Sequence, residues 1–347
     1  MPLSSYLYTL PYLIFWHWTR YRNRLIPCVI YCAEPLDYTI LEPVVRYLRK
    51  PCVYVAKNRR TSEYLRQKGK KALRMPVFPE MVLMARHSTW KFPVPAIRKY
   101  GFRHGPYHFK TFTSVRNYRP FTLYFLTSPV EATEARKMGL DNVVPAGYPK
   151  LDPAFDGSWT EEKLQSFRKE KLNDSKKPIV LFSATWEKSG MSAVERWYRR
   201  LKELTADYTV CVTLHPWVSR NVFFTIKNTP DVFLAGTDDL LPFMMLADCT
   251  ISDTSSIIGE FIALDKRIIT FRTDSAERKP HSLDAMLDKA GYRVDSFDDL
   301  KQTLRRYLTS EDPYNHNRRL LRDQLFCNLG TAGKQAAARL NLASLRS

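Results

Sequence analysis

The chain has 347 residues, 44% hydrophobic and 13% aromatic, enough to pack the interiors of two ordinary domains and to exclude a disordered protein. Lys and Arg number 54 against 35 Asp and Glu, a formal net charge of +19, so the partners this chain attracts are anions: nucleic acid, acidic lipid headgroups or phosphorylated substrates. The six cysteines form no CxxC pair and no zinc-spaced Cys/His cluster; most sit in apolar strand-like runs and read as reduced, buried and cytosolic, without metal or disulfide roles.

The first segment is PLSSYLYTLPYLIFWHWTRYRNR. It has no basic leader and no small-residue cleavage site, so a signal peptide is not expected. Its apolar part is broken by Pro11 and is short for a bilayer span. Two readings stand side by side. One is an interfacial helix whose aromatics and following Arg20, Arg22 and Arg24 meet an anionic membrane. The other is a first helix packed on the protein's own core.

Short apolar strands then alternate with helices. PCVIYCAE and PCVYVAKN read as buried strands with a short helix, LEPVVRYLRK, between them. TSEYLRQKGKKAL is a predicted helix with Thr61 and Ser62 as cap candidates. MPVFPEMVLMARH carries a further strand, and KYGFRHGPYHFK reads as a basic turn. TLYFLTSP is a strand, VEATEARKMGL a helix that starts after Pro129 and ends in Gly139, and NVVPAGYPKLD closes the half. Residues 158–176 are polar and charged and read as a linker between an N-terminal domain, 1–157, and a C-terminal domain, 177–347. Beyond it the strands are KPIVLFSATW, YTVCVTLHP, DVFLAG, CTISD and KRIITF. Helices are predicted near SAVERWYRRLKEL, after Ser256, over YRVDSFDDLKQTLRRYL and in the basic end of the chain. Such alternation predicts parallel sheets with helices on their faces. Two such halves outline an α/β, GT-B-like architecture: two Rossmann-like domains facing an interdomain crevice, with ligands at the strand C-terminal ends.

Candidate chemistry collects at strand ends. In GTDDLLPFMMLADCTISDTSSIIGEFIALDKRIITFRTD, a strand delivers Asp253, Thr254, Ser255 and Ser256 to a helix start. Free backbone N–H groups, the helix dipole and serine hydroxyls there suit a phosphate or pyrophosphate. The plainer alternative is that these residues only cap the helix. His104, beside Gly105 in a loop, suits general-base work, with His108 as a backup. His215, followed by Pro216, suits donation to phosphate. His17, His87, His281 and His316 are assigned structural or surface roles. GxGxxG, Walker and Asp-x-Asp patterns are absent, so phosphate charge is expected to be met by helix termini, hydroxyls, His and Lys/Arg, without metal or cofactor. Arg103 and Lys110 are further candidates for phosphate or acceptor contacts. Basic residues are spread over the whole chain rather than in one stripe, which argues against nucleic acid as a partner.

RHGPYHFK, TSP, GYPKLD, LFSATW, TLHP and LLPFMMLADCTISDTSSIIGEFIALDKRIITF occur in the order seen in the CDP-glycerol glycerophosphotransferase family of teichoic-acid and capsule synthesis, which residues 100–275 resemble. The resemblance implies a GT-B fold and metal-independent transfer of a polyol phosphate from a CDP-linked donor to a lipid-linked or membrane glycan acceptor, with release of CMP. It implies His104 as catalytic base and His215 at the donor phosphates. Ser255 and Ser256 become donor contacts, joined by Asp253, Thr254, Gly147 and Thr185. It also implies a cytoplasmic enzyme, peripheral on the inner face of the membrane. Departures from the family pattern are Arg103 before the His-Gly pair, Pro106-Tyr107 after it, Thr254 where Tyr is common, and RTDSAER after IITF. The block SDTSSIIGEFIALDKRIITFRTDSAER also resembles nucleotide-sugar 2-epimerases, although their Gly-Thr-Arg-Pro-Glu loop after the first strand reads CAEPLDYT here, and a UDP-sugar 2-epimerase-like enzyme or a glycosyltransferase of the same fold is the alternative.

Overall fold

The computed structural model describes residues 3–106, 114–236, 240–274 and 282–345. The chain forms two compact units: Met1–His104 with Phe112–Asp152 and Cys327–Ser347, and Gly105–Thr111 with Pro153–Phe326.

The first unit is built on strands β1 (Cys28–Cys32), β2 (Cys52–Ala56), β3 (Ala72–Leu73), β4 (Met81–Met84), β5 (Arg98–Phe102), β6 (Leu123–Leu126) and β7 (Val143–Pro145). They form one sheet in the order β3-β2-β1-β4-β5-β6-β7. Every pairing is parallel, with Val29 opposite both Val53 and Val82. All five residues of β1 are buried, as a parallel strand covered on both faces requires. Helices α1 (Leu3–Tyr21), α2 (Pro35–Val45), α3 (Arg59–Gln67) and α4 (Pro129–Lys137) belong to this unit. The start of α2 is fixed by Pro35 in its first turn and by a capping box between Glu34 and Asp37.

The second unit holds α5 (Glu161–Leu172), β8 (Ile179–Ala184), β9 (Thr209–Leu214), α6 (Arg220–Lys227), β10 (Val232–Leu234), α7 (Leu241–Leu246), β11 (Cys249–Ser252), α8 (Ile257–Ala263), β12 (Arg267–Phe271), α9 (Leu283–Ala290), β13 (Tyr292–Val294), α10 (Phe297–Thr309) and α11 (Asn315–Leu325). Its parallel sheet runs β10-β9-β8-β11-β12-β13. Phe182, Trp197, Val212, Ile269 and Leu300 are among the side chains that fill the core beside it. The final helix, α12 (Ala332–Leu345), returns to the first unit.

Four sequence expectations change. KYGF is strand rather than turn: β5 lies between β4 and β6 with Tyr100 and Phe102 buried. Residues 158–176 are not a free linker, because Thr160 caps α5 and Phe167 packs its ring 4.9 Å from Phe243 inside the second unit. The C-terminal boundary also moves, since residues from Cys327 onward close the first unit. SAVERWYRRLKEL makes short 3₁₀ turns, Val194–Arg196 and Leu201–Leu204, rather than one α-helix. Its start is pinned by Ala193 N donating to Asp253 Oδ2 and Ser192 Oγ donating to Thr185 O, while Trp197, Tyr198 and Leu201 all sink into one core.

The N-terminal helix packs on the first unit's core along one side. Tyr12 and Trp16 are buried, the Tyr12 hydroxyl donating to Val77 O and Trp16 Nε1 to Pro79 O at 2.8 Å. The opposite side leaves Leu10, Ile14, Phe15, Trp18 and Tyr21 exposed, 52–86% of each reaching solvent. Among the described residues, no helix is long and apolar enough to cross a membrane. All six cysteines are free.

Candidate active site

In the second unit, β9, β8 and β11 are neighbours, and their C-terminal ends carry His215, Thr185 and Asp253 respectively. Asp253 is fully buried and organises this end of the sheet. Oδ1 accepts from Thr254 N at 2.6 Å and Ser255 N at 3.0 Å. Oδ2 accepts from Thr185 N at 3.0 Å, Thr185 Oγ1 at 3.1 Å and Ala193 N at 3.1 Å. Burial pushes this carboxyl up to about 6, against the pull of those donors. Thr185 Oγ1 and Thr254 Oγ1 also reach Met191 O, at 3.1 and 3.0 Å. One layer below, Ser183 Oγ donates to Ser252 Oγ at 2.9 Å.

Asp253, Thr254 and Thr185 therefore bond inward and tie two loops into one rigid rim. They do not cap α8. The N-cap position is Ser256, in right-handed helical geometry, and its side chain makes no cap bond. Ser255 and Ser256 are half-buried, and no hydrogen bond from either hydroxyl occurs among the described residues. Their peptide N–H and hydroxyl groups sit on a turn that Asp253 has already fixed.

His215 is half-buried at the end of β9. Trp217 N donates to its Nδ1 at 3.1 Å, which places the neutral ring's proton on Nε2. The ring packs edge-on to Trp217 at 5.2 Å, and Trp217 meets Trp186 from the end of β8 at 5.6 Å. Glu187 Oε1 accepts from Ser219 N at 2.7 Å, and Ser219 caps α6, so the loops after β8 and β9 are stitched together.

The first unit carries His104, Arg103 and Gly147. His104 is half-buried, two residues beyond the end of β5. Arg103 is not an open anion contact: Nε lies 3.0 Å from Glu131 Oε1, with both side chains enclosed, and Nη1 donates to Tyr118 Oη at 3.1 Å. Gly147 serves packing. Its φ of +99° suits glycine, and a Cβ would lie 2.3 Å from Cys327 O and 2.7 Å from Ala332 Cβ. Asp152, from the same Gly-Tyr-Pro-Lys-Leu-Asp run, accepts from Ala332 N at 3.0 Å and Gly333 N at 2.7 Å at the start of α12. This run is thus the seat of the C-terminal segment. The small residues of Gly330-Thr331-Ala332-Gly333 are the sequence signal that points to such a close approach. His87 keeps the structural role assigned to it: Nδ1 donates to Asn117 O at 3.1 Å, its ring stacks on Tyr124, and burial holds its pKa below the usual range. Lys110 and His108 lie outside the described residues.

No group of three or more His, Cys, Asp or Glu side chains placed to hold a metal occurs among the described residues. The model of the CDP-glycerol:poly(glycerophosphate) glycerophosphotransferase family matches residues 119–340. Teichoic acid ribitol-phosphate polymerase TarL of Staphylococcus aureus (strain NCTC 8325 / PS 47) is 25% identical over 205 residues, covering 56% of this chain and 35% of that protein. Teichoic acid glycerol-phosphate primase of Bacillus subtilis (strain 168) is 27% identical over 132 residues, covering 37% and 32%. The chain thus spans about a third of the length of these curated relatives. Among solved structures, the wall teichoic acid polymerase TagF superposes with a TM-score of 0.70 at 12% identity, covering 100% of this chain and 98% of that one. S. aureus MnaA, solved with UDP, gives 0.63 at 12% identity over 92% and 97%. These likenesses establish a GT-B-like α/β fold. The matched span takes in Gly147, Asp152, Thr185, His215 and the turn from Asp253 to Ser256, but neither Arg103 nor His104, and with it the chain belongs to the CDP-glycerol:poly(glycerophosphate) glycerophosphotransferase family.

Proposed function

We propose that this chain transfers a polyol phosphate, glycerol phosphate foremost, from a CDP-linked donor to a hydroxyl of a membrane-linked glycan in teichoic-acid or capsule synthesis. The observation that carries the reading is the family match over residues 119–340, which spans the Asp253-wired rim of the second unit. Ser255 and Ser256, on the turn fixed by Asp253, and the Nε2–H of His215 are the donor-diphosphate contacts in this reading. Hydrogen bonds aimed at the diphosphate favour the negative charge that grows on the departing CMP. His104 takes the proton of the acceptor hydroxyl as its oxygen bonds to phosphorus and the bond to CMP breaks. The net charge of +19 suits a doubly anionic donor and a phosphate-rich product.

Calorimetry with CDP, CMP, UDP and GDP tests the proposal. Selective binding of CDP is the expected result. Selective binding of UDP overturns it in favour of a nucleotide-sugar enzyme of the same fold.

The same reading places the protein on the inner face of the cytoplasmic membrane through α1. Leu10, Ile14 and Trp18 recur every four residues and form one stripe, with Phe15 and Tyr21 beside it. Arg22 lies 4.7 Å over the Trp18 ring, at the end of that stripe. An apolar stripe ending in cations is the pattern that lies flat on an anionic lipid surface.

A further inference from the structure

The two residues that precede His104 are held from several sides. Tyr124 Oη donates to Phe102 O at 3.1 Å. The Arg103 guanidinium reaches Tyr118 Oη at 3.1 Å through Nη1 and lies 3.0 Å from Glu131 Oε1 through Nε. Glu131 sits in the first turn of α4, and its other oxygen accepts from Thr127 N at 2.8 Å and Thr127 Oγ1 at 3.0 Å. The His87 ring closes the cluster, 4.6 Å from Tyr118 and 5.7 Å from Tyr124. Residues at the ends of β4, β5 and β6 and the start of α4 thus converge on the stem of one turn.

Stability alone does not call for charges at this place. A buried ion pair replaced by apolar side chains of similar volume commonly leaves a protein as stable or more so. What the guanidinium adds is direction, through the Nη1–H it donates to Tyr118 Oη, while the Glu131 carboxylate holds it in place by charge. The direction fixed here is that of the peptide leading into His104.

We infer that the Glu131–Arg103 pair is a positioning device for His104, setting where its imidazole stands. The inference rests on the proposed role of His104 as the base, and it gives Arg103 and Glu131 a task that neither the anion-contact reading nor simple packing supplies. The pair touches no substrate; it acts through the histidine.

The test compares the parent with Arg103→Met/Glu131→Leu, an apolar pair of similar volume, and with Glu131→Gln. Three quantities are read: the melting temperature, the titration of the His104 ring by NMR of histidine-labelled protein (assigned with His104→Gln), and CMP release from CDP-glycerol over a glycerol-phosphate-terminated glycolipid. The expected result is a double variant that melts within a few degrees of the parent, with a His104 signal whose shift and titration midpoint move. Its kcat falls by roughly 10²-fold, the usual cost of misplacing a reacting group by about 1 Å, and its KM for CDP-glycerol stays near the parent's. A folded double variant with parental His104 titration and parental kcat overturns the inference. Should the double variant not fold, Glu131→Gln decides by the same NMR signal. If the parent releases no CMP from CDP-glycerol or CDP-ribitol, the proposed function fails, while the His104 signal still decides the positioning role.

Discussion

Replacing Gly147 with Ala separates a packing glycine from a donor-site glycine. The new Cβ would stand 2.3 Å from Cys327 O and 2.7 Å from Ala332 Cβ, where ordinary contact begins near 3.4 Å. The segment from Cys327 to Gly333 must therefore retreat by about 1 Å. That movement stretches Ala332 N→Asp152 Oδ1 from 3.0 Å and Gly333 N→Asp152 Oδ2 from 2.7 Å toward the limit of useful hydrogen bonding. Hydrogen bonds to a charged group contribute about 1.5–3 kcal/mol each. Holding Ala at a φ of +99° costs about 1–2 kcal/mol more. Allowing for partial relaxation, the first unit loses about 4 kcal/mol, in the range where a single substitution is diagnostic of one named defect. Urea unfolding followed by tryptophan fluorescence measures the loss. Limited trypsin digestion should cut at Lys334 and Arg339 in the variant long before the parent. CDP affinity, a property of the second unit in this reading, should stay within about twofold of the parent, a few tenths of a kcal/mol. Stability within about 1 kcal/mol of the parent together with lost CDP binding would refute the packing argument and return Gly147 to the donor site.

His104→Ala should lower turnover about 10²–10⁴-fold with CDP binding kept, and near-normal turnover in a folded variant would remove it as the base. Ser256→Ala and His215→Ala should each weaken CDP binding by about 1.5–3 kcal/mol in calorimetry; unchanged affinity in both puts the donor elsewhere. Replacing Arg20, Arg22 and Arg24 with Ser should cut sedimentation with anionic liposomes, each arginine contributing about 1 kcal/mol at the surface, and equal sedimentation at every salt concentration counts against the membrane seat. Burial brings the Lys99 ammonium, bonded to Val94 O and Ile97 O, down to about 8, whereas the unfolded chain releases that proton near 10.4. Between those values the unfolded state binds more protons, so stability should rise with pH from about 8 to about 10.4, by up to about 1.4 kcal/mol per pH unit. Lys99→Met should flatten the rise, and parallel parent and variant curves would show that Lys99 does not cause it.

Strands such as CVIYC and IVLFSA were legible because a parallel strand covered on both faces must be apolar throughout, and both are buried along their whole length. RKYGF was not legible as β5, since Arg98, Lys99 and Gly101 break that pattern. The structure accommodates them by bonding the Lys99 ammonium to carbonyls and by filling the space at Gly101 with the Tyr124 ring. At the site, residue order could name Asp253, Thr254 and Thr185 but not the direction in which their side chains point. That direction depends on Met191 and Ala193, in a loop whose α-helical reading also failed. Arg103 counted as an available cation until its partner Glu131 was placed beside it, and nothing local in the sequence announces that pairing.

The return of α12 has a consequence for biosynthesis. The seat for it, Gly147 and Asp152, leaves the ribosome with the first unit's sheet, but Ala332 follows Asp152 by 180 residues. At roughly 5–20 residues per second, that seat stays vacant for about 10–40 s while the entire second unit is being made. The second unit is therefore free to finish folding as an insertion before the first is complete. During that interval the face later covered by α12, including the Pro43 carbonyl that Gly333 approaches, is bare. Until then exposure to chaperones and proteases falls on the first unit, and a chain broken off shortly before Ala332 would leave that unit's sheet uncovered while the second unit's elements are all present.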